Sequence, residues 1–317
     1  MAKTKNLFSY ATKELSQDAF LRWLFENWSS DEQDIKEACC VVLEKLLDMK
    51  FSAKDITNVI AKSQVSSIDI VVDVWVNSVK YIIIIEDKTY TGPHDDQLKK
   101  YKDLVAKWKQ ECVIKYIYYK TNLISDDEIS HIENQGWEIY DIKRIHSIFS
   151  HLRVSPTNNI LADYVEHICT LYKDLTQSLP NDVSKWKINH WVNFYYHNNL
   201  KIPKKLHFGY SNYRGLYIYL VFNKRGGWKK HPYGEIRSRD FHENDFIIKI
   251  LLYDTEQKYL DKYLDEWKAK FASSQLFKSQ NYKQQIAKNS KTEKVYTTKD
   301  LESQLQKYID EYYKLML

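Results

Sequence analysis

The chain has 317 residues, of which 44% are hydrophobic and 28% are charged, a balance typical of a globular protein with one large or two ordinary domains. No apolar run approaches the roughly 18 residues of a membrane-spanning helix, the first residues lack a signal-peptide core, and the four cysteines show no zinc or disulfide spacing. We therefore expect a cytoplasmic protein without membrane contact. The net charge of +5 becomes informative about a polyanionic partner only when the two halves of the chain are counted separately.

Two helical patterns open the chain. Ser16 is a suitable N-cap, and an apolar stripe at Phe20, Leu21 and Leu24 follows it, which predicts a helix beginning near residue 16. Residues 32–49 carry apolar side chains at helical spacing and predict a second amphipathic helix.

A β-hairpin follows, and it brings charged residues together. Two apolar runs flank the polar pair Asn77-Ser78, so residues whose numbers sum to 155 should face each other. Asp69 then faces Glu86, and Lys88 lies on the same face as Glu86 because side chains alternate along a strand. Two opposed carboxylates repel unless a cation lies between them, and a slip of one residue would separate them. This pattern favours a divalent metal site.

The next elements predict the fold class. Residues 95–110 read as a helix, 113–119 and 137–140 as strands, and about 158–177 as a long closing helix. A hairpin followed by strand, helix and strand predicts an α/β domain in which helices flank a mixed central sheet.

The segments Ile68-Asp69 and Glu86-Asp87-Lys88 resemble the motif of the PD-(D/E)XK nuclease superfamily, although Ile68 stands where the family usually has proline. Residues 14–24 resemble the first helix of bacterial members, and Gln97 to Tyr101 the helix after the motif, so the likeness covers roughly residues 10–150. The resemblance implies a restriction-endonuclease-like fold and hydrolysis of phosphodiester bonds to a 5′-phosphate and a 3′-hydroxyl.

The resemblance also implies roles for site residues. Asp69, Glu86 and the main-chain carbonyl of Asp87 would hold Mg²⁺ or Mn²⁺, and Lys88 would orient or deprotonate the attacking water. Glu14 would be an outer metal ligand or water holder, and Gln97 would position water or phosphate.

Each role has a plainer alternative. Glu86 and Lys88 could form a partly exposed ion pair at a strand end, and Asp69 could stand without a metal. Glu14 could be solvated, and Gln97 could merely pack or cap its helix.

The second half of the chain differs in charge. Residues 1–180 hold 22 Lys and Arg against 27 Asp and Glu, whereas residues 181–317 hold 25 against 15. A polar break at 178–182 separates them, which predicts a nuclease-like domain over 1–180 and a basic α+β domain over 181–317. In the second domain we expect strands at 215–222, 233–239 and 246–253, and mostly helix from residue 255.

Cations interleaved with aromatic residues fill segment 201–239, a pattern that suits phosphate contact and base stacking. An ordinary lysine-rich surface over an aromatic core is the alternative. The candidate nucleic-acid-binding residues are Lys204, Lys205, Arg214, Lys224, Arg225, Lys229, Lys230, Arg237 and Arg239.

The sequence as a whole predicts a Mg²⁺-dependent nuclease of DNA, acting in phage–host genome conflict or DNA processing, with a homodimer as one way to cut both strands. The rival predictions are a nuclease-fold protein without activity that binds nucleic acid or a protein partner, an RNA nuclease, and a second half that serves protein interaction.

Overall fold

A computed structural model of the protein describes most of the chain, namely residues 6–10, 14–93, 96–108, 111–155, 159–211, 217–222, 232–238, 245–252, 257–282, 285–291 and 293–317. The chain divides into two compact units, residues 1–177 and 178–317.

The first unit contains both helices and strands. Its elements, in chain order, are α1 (Glu14–Glu26), α2 (Gln33–Leu47), β1 (Ile56–Val65), β2 (Ile68–Val76), β3 (Val79–Lys88), α3 (Gln97–Val105), β4 (Val113–Lys120), α4 (Asp126–Asn134), β5 (Glu138–Tyr140), α5 (Ile142–Phe149) and α6 (Asn159–Thr176). Within the described residues these strands form a five-stranded mixed sheet of order β1-β2-β3-β4-β5. β1, β2 and β3 pair antiparallel, and β3, β4 and β5 pair parallel.

The hairpin has the register that the sequence predicts. Asn77 and Ser78 both have positive φ (49° and 67°), as a two-residue type I′ turn requires. Val76 therefore pairs with Val79, and the ladder continues to Ile70 opposite Ile85. The next step of the same register sets Asp69 opposite Glu86.

Both faces of this sheet are covered, which is why β3 is an unbroken apolar run. On one face Ile82 and Ile84 pack with Leu98 of α3, Tyr118 of β4 and Trp137. On the other face the hydroxyl of Tyr119 lies 3.1 Å from that of Tyr164 in α6, so α6 closes this layer. The prediction of an α/β mixed sheet flanked by helices is confirmed.

The second unit is built around an antiparallel sheet. Its elements are α7 (Ile188–His197), β6 (Leu206–Ser211), β7 (Tyr217–Phe222), β8 (Pro232–Arg237), β9 (Asp245–Phe246), β10 (Lys249–Leu252), α8 (Gln257–Ala272), β11 (Phe277–Tyr282), β12 (Gln285–Asn289), β13 (Glu293–Lys294) and α9 (Thr298–Met316). Among the described residues six strands pair in the order β11-β12-β10-β8-β7-β6, and β13 pairs with β9.

Several elements differ from the sequence-based predictions. The expectation of mostly helix after residue 255 holds for α8 and α9, but it missed the short strands β11, β12 and β13 that lie between them. Lys, Gln and Asn fill β11 and β12, so the alternation of apolar and polar residues that marks a strand is weak there. The predicted first helix begins two residues earlier, at Glu14, and the helix after the hairpin is shorter, Gln97–Val105. Among the described residues, no helix combines the length and the apolar character needed to cross a membrane.

Candidate active site at the end of the β2–β3 hairpin

Glu86 and Lys88 form a buried ion pair at the carboxyl end of β3. The Lys88 ammonium donates to Glu86 Oε1 and, at 3.2 Å, to the main-chain carbonyl of Asp87. Glu86 is fully buried and Lys88 is 5% exposed. The pair is therefore buried, and the alternative of a partly exposed ion pair at a strand end does not describe it.

Asp69 adds a second carboxyl group beside this ion pair. Burial first, and then the carboxylate of Asp69, raise the pKa of Glu86 to about 8. No donor in the described part of the chain reaches Glu86 Oε2, although this oxygen is buried. Burial alone would lower the pKa of Lys88, but Glu86 and Asp69 outweigh it and raise this pKa, which keeps the lysine an ammonium ion. If both carboxyl groups were ionised, they would carry more negative charge than one lysine neutralises; together with burial, this repulsion favours a proton on Glu86.

Asp69 is held in place by two hydrogen bonds. Its Oδ2 accepts from the main-chain N–H of Asp87 at 2.9 Å, and its Oδ1 accepts from the side-chain amide of Gln64 at 3.3 Å. The first bond ties the start of β2 to the end of β3, and it directs the Asp69 carboxylate toward the residue next to Glu86.

These groups fit a hard divalent cation. Asp69 and Glu86 offer carboxylate oxygens, Asp87 offers a carbonyl oxygen, and the undonated Oε2 of Glu86 is the kind of atom that a metal satisfies. Among the described residues no three acidic, histidine or cysteine side chains converge as a metal centre. A metal here would accordingly have two carboxylates and one carbonyl, with water completing its shell, which is the mode in which Mg²⁺ is commonly bound.

Both outlying candidates, Glu14 and Gln97, lie near this cluster. Glu14 Oε1 accepts from the N–H of Thr89, the residue after Lys88, at 3.0 Å, so α1 is joined to the end of β3. Gln97 donates to the Tyr101 hydroxyl at 2.9 Å, and Tyr101 donates to the carbonyl of Ser67. The carboxylates of Glu86 and Asp69 act on Tyr101 and contribute to its raised pKa, after burial.

The side chain of Asp87 points to the opposite face of β3 and meets α1. It accepts a hydrogen bond from Gln17 and is fully buried. Burial and the nearby Asp18 hold its pKa well above the usual range, and burial together with Asp69 raises the pKa of Asp18 to about 7. Gln17 and Asp18, which lie about one turn after Glu14 in α1, were not among the predicted site residues.

A second buried lysine adjoins Lys88. Lys120 ends β4, pairs with Lys88 in the parallel register, and is 1% exposed. Its ammonium contacts both carboxylate oxygens of Glu128, at 2.8 and 2.9 Å, and Glu128 also accepts from the Tyr118 hydroxyl. Burial lowers the pKa of Lys120 despite Glu128. One sequence signal could have indicated Lys120 as a site residue: it is the last residue of the apolar strand that follows the Glu-x-Lys strand.

The basic residues of the second unit are only partly visible. Lys204 and Lys205 are exposed in the turn before β6. Arg237 instead pairs with the buried Glu235, which occupies part of its guanidinium. The remaining candidates lie outside the described residues: Arg214, Lys224, Arg225, Lys229, Lys230 and Arg239.

Comparison with known families agrees with the fold. A family model described as the PD-(D/E)XK nuclease superfamily matches residues 5–213, well over half of the chain and beyond the roughly 10–150 of the motif-based likeness. No curated protein and no solved structure matches the chain significantly.

Proposed function

The chain belongs to the PD-(D/E)XK nuclease superfamily, and from that premise we propose that it hydrolyses phosphodiester bonds of DNA with the help of Mg²⁺ or Mn²⁺. The observation that carries the proposal is the buried Glu86–Lys88 pair with Asp69 opposite it. Packing alone does not call for two carboxylates and an ammonium at the end of a core strand, since each is costly to remove from water.

In the proposed site, Asp69, Glu86 and the carbonyl of Asp87 hold the metal. A metal bound there would polarise a phosphate oxygen and lower the pKa of a bound water. Its positive charge would also counteract the burial and the repulsion from Asp69 that together raise the pKa of Glu86.

Lys88 acts in the proposal as a fixed positive charge. Its raised pKa favours an ammonium over the free amine that proton abstraction from water would need. An ammonium beside Glu86 orients the attacking water and offsets negative charge that develops on the phosphate. Glu14 supports this end of β3 through Thr89, and Gln97 acts through Tyr101.

The two parts of the chain have separate roles in the proposal. Residues 1–180 carry the hydrolytic site, and residues 181–317 hold the substrate through their excess of cations. Lys204 and Lys205 are the best placed of the described candidates, because both are exposed. Arg237, paired with Glu235, contributes less.

The proposed setting is the bacterial or phage cytoplasm, in phage–host genome conflict or DNA processing. It rests on family-level analogy rather than on any residue of this chain. A homodimer would supply two sites for cutting both strands.

The decisive experiment compares cleavage of supercoiled, linear and single-stranded DNA, with RNA in parallel, in Mg²⁺, Mn²⁺ and chelator. We expect metal-dependent cutting by the wild type and loss of cutting in Lys88→Ala. Lys80→Ala is the matched control, because Lys80 lies on the same strand and face but near the turn, beside Asp73. Equal cleavage by Lys88→Ala would refute the proposal, and binding without cutting would favour an inactive nuclease-fold protein.

A further inference from the structure

A cavity with both polar and apolar lining lies between α1 and β1, near the proposed catalytic site. Its volume is about 250 Å³, and Asp18, Arg22, Trp23, Glu26, Ser63 and Gln64 line it. None of the roles proposed above uses Arg22, Trp23 or Ser63.

One side of α1 connects the lining of the cavity to the proposed site. Glu14, Asp18, Arg22 and Glu26 recur every four residues, so they lie on one side of α1. Glu14 contacts Thr89 at the end of β3, and Asp18, one turn later, already lines the cavity. The four residues from Glu14 to Asp18 rise about 6 Å along the helix axis, less than two steps of a stacked nucleic-acid strand.

Gln64 provides a second connection. Its side chain lines the cavity while its amide donates to Asp69 Oδ1 at 3.3 Å. A ligand that fills the cavity therefore lies one side chain away from a proposed metal ligand.

The charges of the cavity argue against a phosphate as its occupant. Arg22, its cation, donates to Glu26 at 2.8 Å and to Ser63 at 3.2 Å, so its positive charge is already balanced. Asp18 adds a further acidic group. A phosphate would meet two carboxylates and one arginine that is already paired.

A planar base suits the same lining. The half-buried Trp23 offers an aromatic surface of the kind on which unpaired bases stack. A side-chain amide and a carboxyl group, as in Gln64 and Asp18, are the groups that hydrogen-bond base edges. The volume suits a single ring system, since it falls below the roughly 300 Å³ at which pockets for drug-sized ligands begin.

We infer that this cavity receives one unpaired base of the substrate, one or two nucleotides from the bond that is cut. The inference deepens the proposed function and rests on it for the position of the scissile phosphate. It assigns Trp23 as the stacking residue and Gln64 as a residue that contacts the base edge and so influences base preference.

The test is a set of short single-stranded DNA oligonucleotides, each with one abasic position, whose affinities are measured by fluorescence anisotropy without divalent metal. For the wild type we expect one position at which base removal weakens binding about 10-fold to 100-fold, the range of one base–aromatic stack. In Trp23→Leu the abasic and intact strands should bind equally. Trp28→Leu, a half-buried tryptophan that does not line the cavity, should keep the wild-type difference.

A second variant guards against misfolding of Trp23→Leu. Gln64 has a positive φ of 56°, a conformation that glycine adopts freely, so Gln64→Gly removes the side chain without straining the backbone. It should reduce the difference in affinity among strands carrying A, C, G or T at the sensitive position.

The outcomes separate the two proposals. If no abasic position matters to the wild type, or if Trp23→Leu keeps the wild-type difference, the base cavity is refuted, whether or not the protein cuts DNA. If the base dependence is present and Mg²⁺ still gives no cleavage, the cavity stands and the nuclease proposal fails.

Discussion

The main-chain N–H of Asp87 donates to Asp69 Oδ2 at 2.9 Å, so one hydrogen bond joins the first residues of β2 to the last residues of β3. Asp87 thereby contributes three separate groups. Its N–H fixes Asp69, its carbonyl accepts from Lys88, and its side chain turns to the other face, where it accepts from Gln17. The mutual placement of Asp69, Glu86 and Lys88 therefore depends on the path of the main chain at residue 87.

Asp69→Asn tests whether the reaction needs the negative charge of this side chain or only its shape. Asparagine retains an oxygen for the Asp87 N–H, yet it removes the charge that a divalent metal requires. We expect metal-dependent cleavage to fall more than about 100-fold, beyond the loss typical of groups that merely support ligands. The measurement is the initial rate at saturating Mg²⁺, with metal affinity by calorimetry.

Asp73→Asn is the matched control for this prediction. Asp73 lies on the same strand and face, nearer the turn, opposite Ile82, and pairs with Lys80 at 3.5 Å. Its rate should stay within about twofold of the wild type, because surface charges act weakly at this distance. Similar losses in the two variants would mean that general charge, not a metal ligand, governs the rate.

The raised pKa of Glu86 predicts a pH dependence of metal binding. Because this pKa is about 8 without metal, the carboxyl group is increasingly protonated as pH falls below 8, and a metal must displace that proton. Apparent Mg²⁺ affinity should therefore drop as pH is lowered, by up to about tenfold per pH unit. Calorimetry in buffers of different ionisation enthalpy would measure the proton released, and pH-independent binding would contradict the assignment.

In the absence of metal, the free energy of unfolding should decrease as pH rises, whereas the Mg²⁺ affinity increases. Between the ordinary value of 4.5 and about 8, the folded state keeps a proton on Glu86 that the unfolded chain has lost. The free energy of unfolding should consequently decrease as pH rises through this window. Glu86→Gln should reduce the decrease, while burial of Asp18 and Asp87 leaves a remainder of the same sign. Urea titrations at several pH values in chelator would measure both slopes.

The sequence predicted the part of the fold that depends on local signals. Four isoleucines, a two-residue turn and the period of two were enough for the register that sets Asp69 opposite Glu86, because a slip would expose the apolar face. β1 was not predicted. It is an edge strand in which polar residues such as Asn58, Lys62 and Ser63 interrupt the apolar ones, so it lacks an apolar run.

The rest of the site depends on contacts between residues far apart in the chain. Gln17 and Asp87 are 70 residues apart, and only the packing of α1 on the sheet brings them together. The proximity of Lys120 to Lys88 follows from a parallel pairing, and nothing in the sequence between those strands specifies that register. The prediction of a metal site could therefore name the carboxylates on the hairpin but not the groups that hold them.

Gln17→Ala should weaken the attachment of α1 to the end of β3. The change removes the donor to a fully buried Asp87 carboxyl group and leaves it with less compensation. We expect a loss of about 2 kcal/mol in the free energy of unfolding, within the range for an unsatisfied buried polar group. Gln33→Ala is the control, because its hydrogen bond to Glu37 is exposed. An equal effect of the two changes in urea denaturation would show that Gln17 does not brace this strand end.

Lys120→Ala should destabilise the first unit more than any surface lysine substitution. It leaves the carboxylate of Glu128, which is 15% exposed and lies 2.8 and 2.9 Å from the Lys120 ammonium in the wild type, beside the space that the buried lysine occupied. Breaking a buried ion pair by removing one partner costs about 3 kcal/mol or more.

A double variant, Lys120→Met with Glu128→Gln, keeps the packing and removes the carboxylate that would be left without its partner. It should therefore regain much of the stability lost in Lys120→Ala. Lys50→Ala, whose exposed lysine lies 3.5 Å from Glu44, should leave the free energy of unfolding unchanged. If Lys120→Ala and Lys50→Ala give the same urea midpoint, burial of the Lys120–Glu128 pair contributes nothing to the stability of this unit, and its position beside Lys88 would have to be explained by catalysis alone.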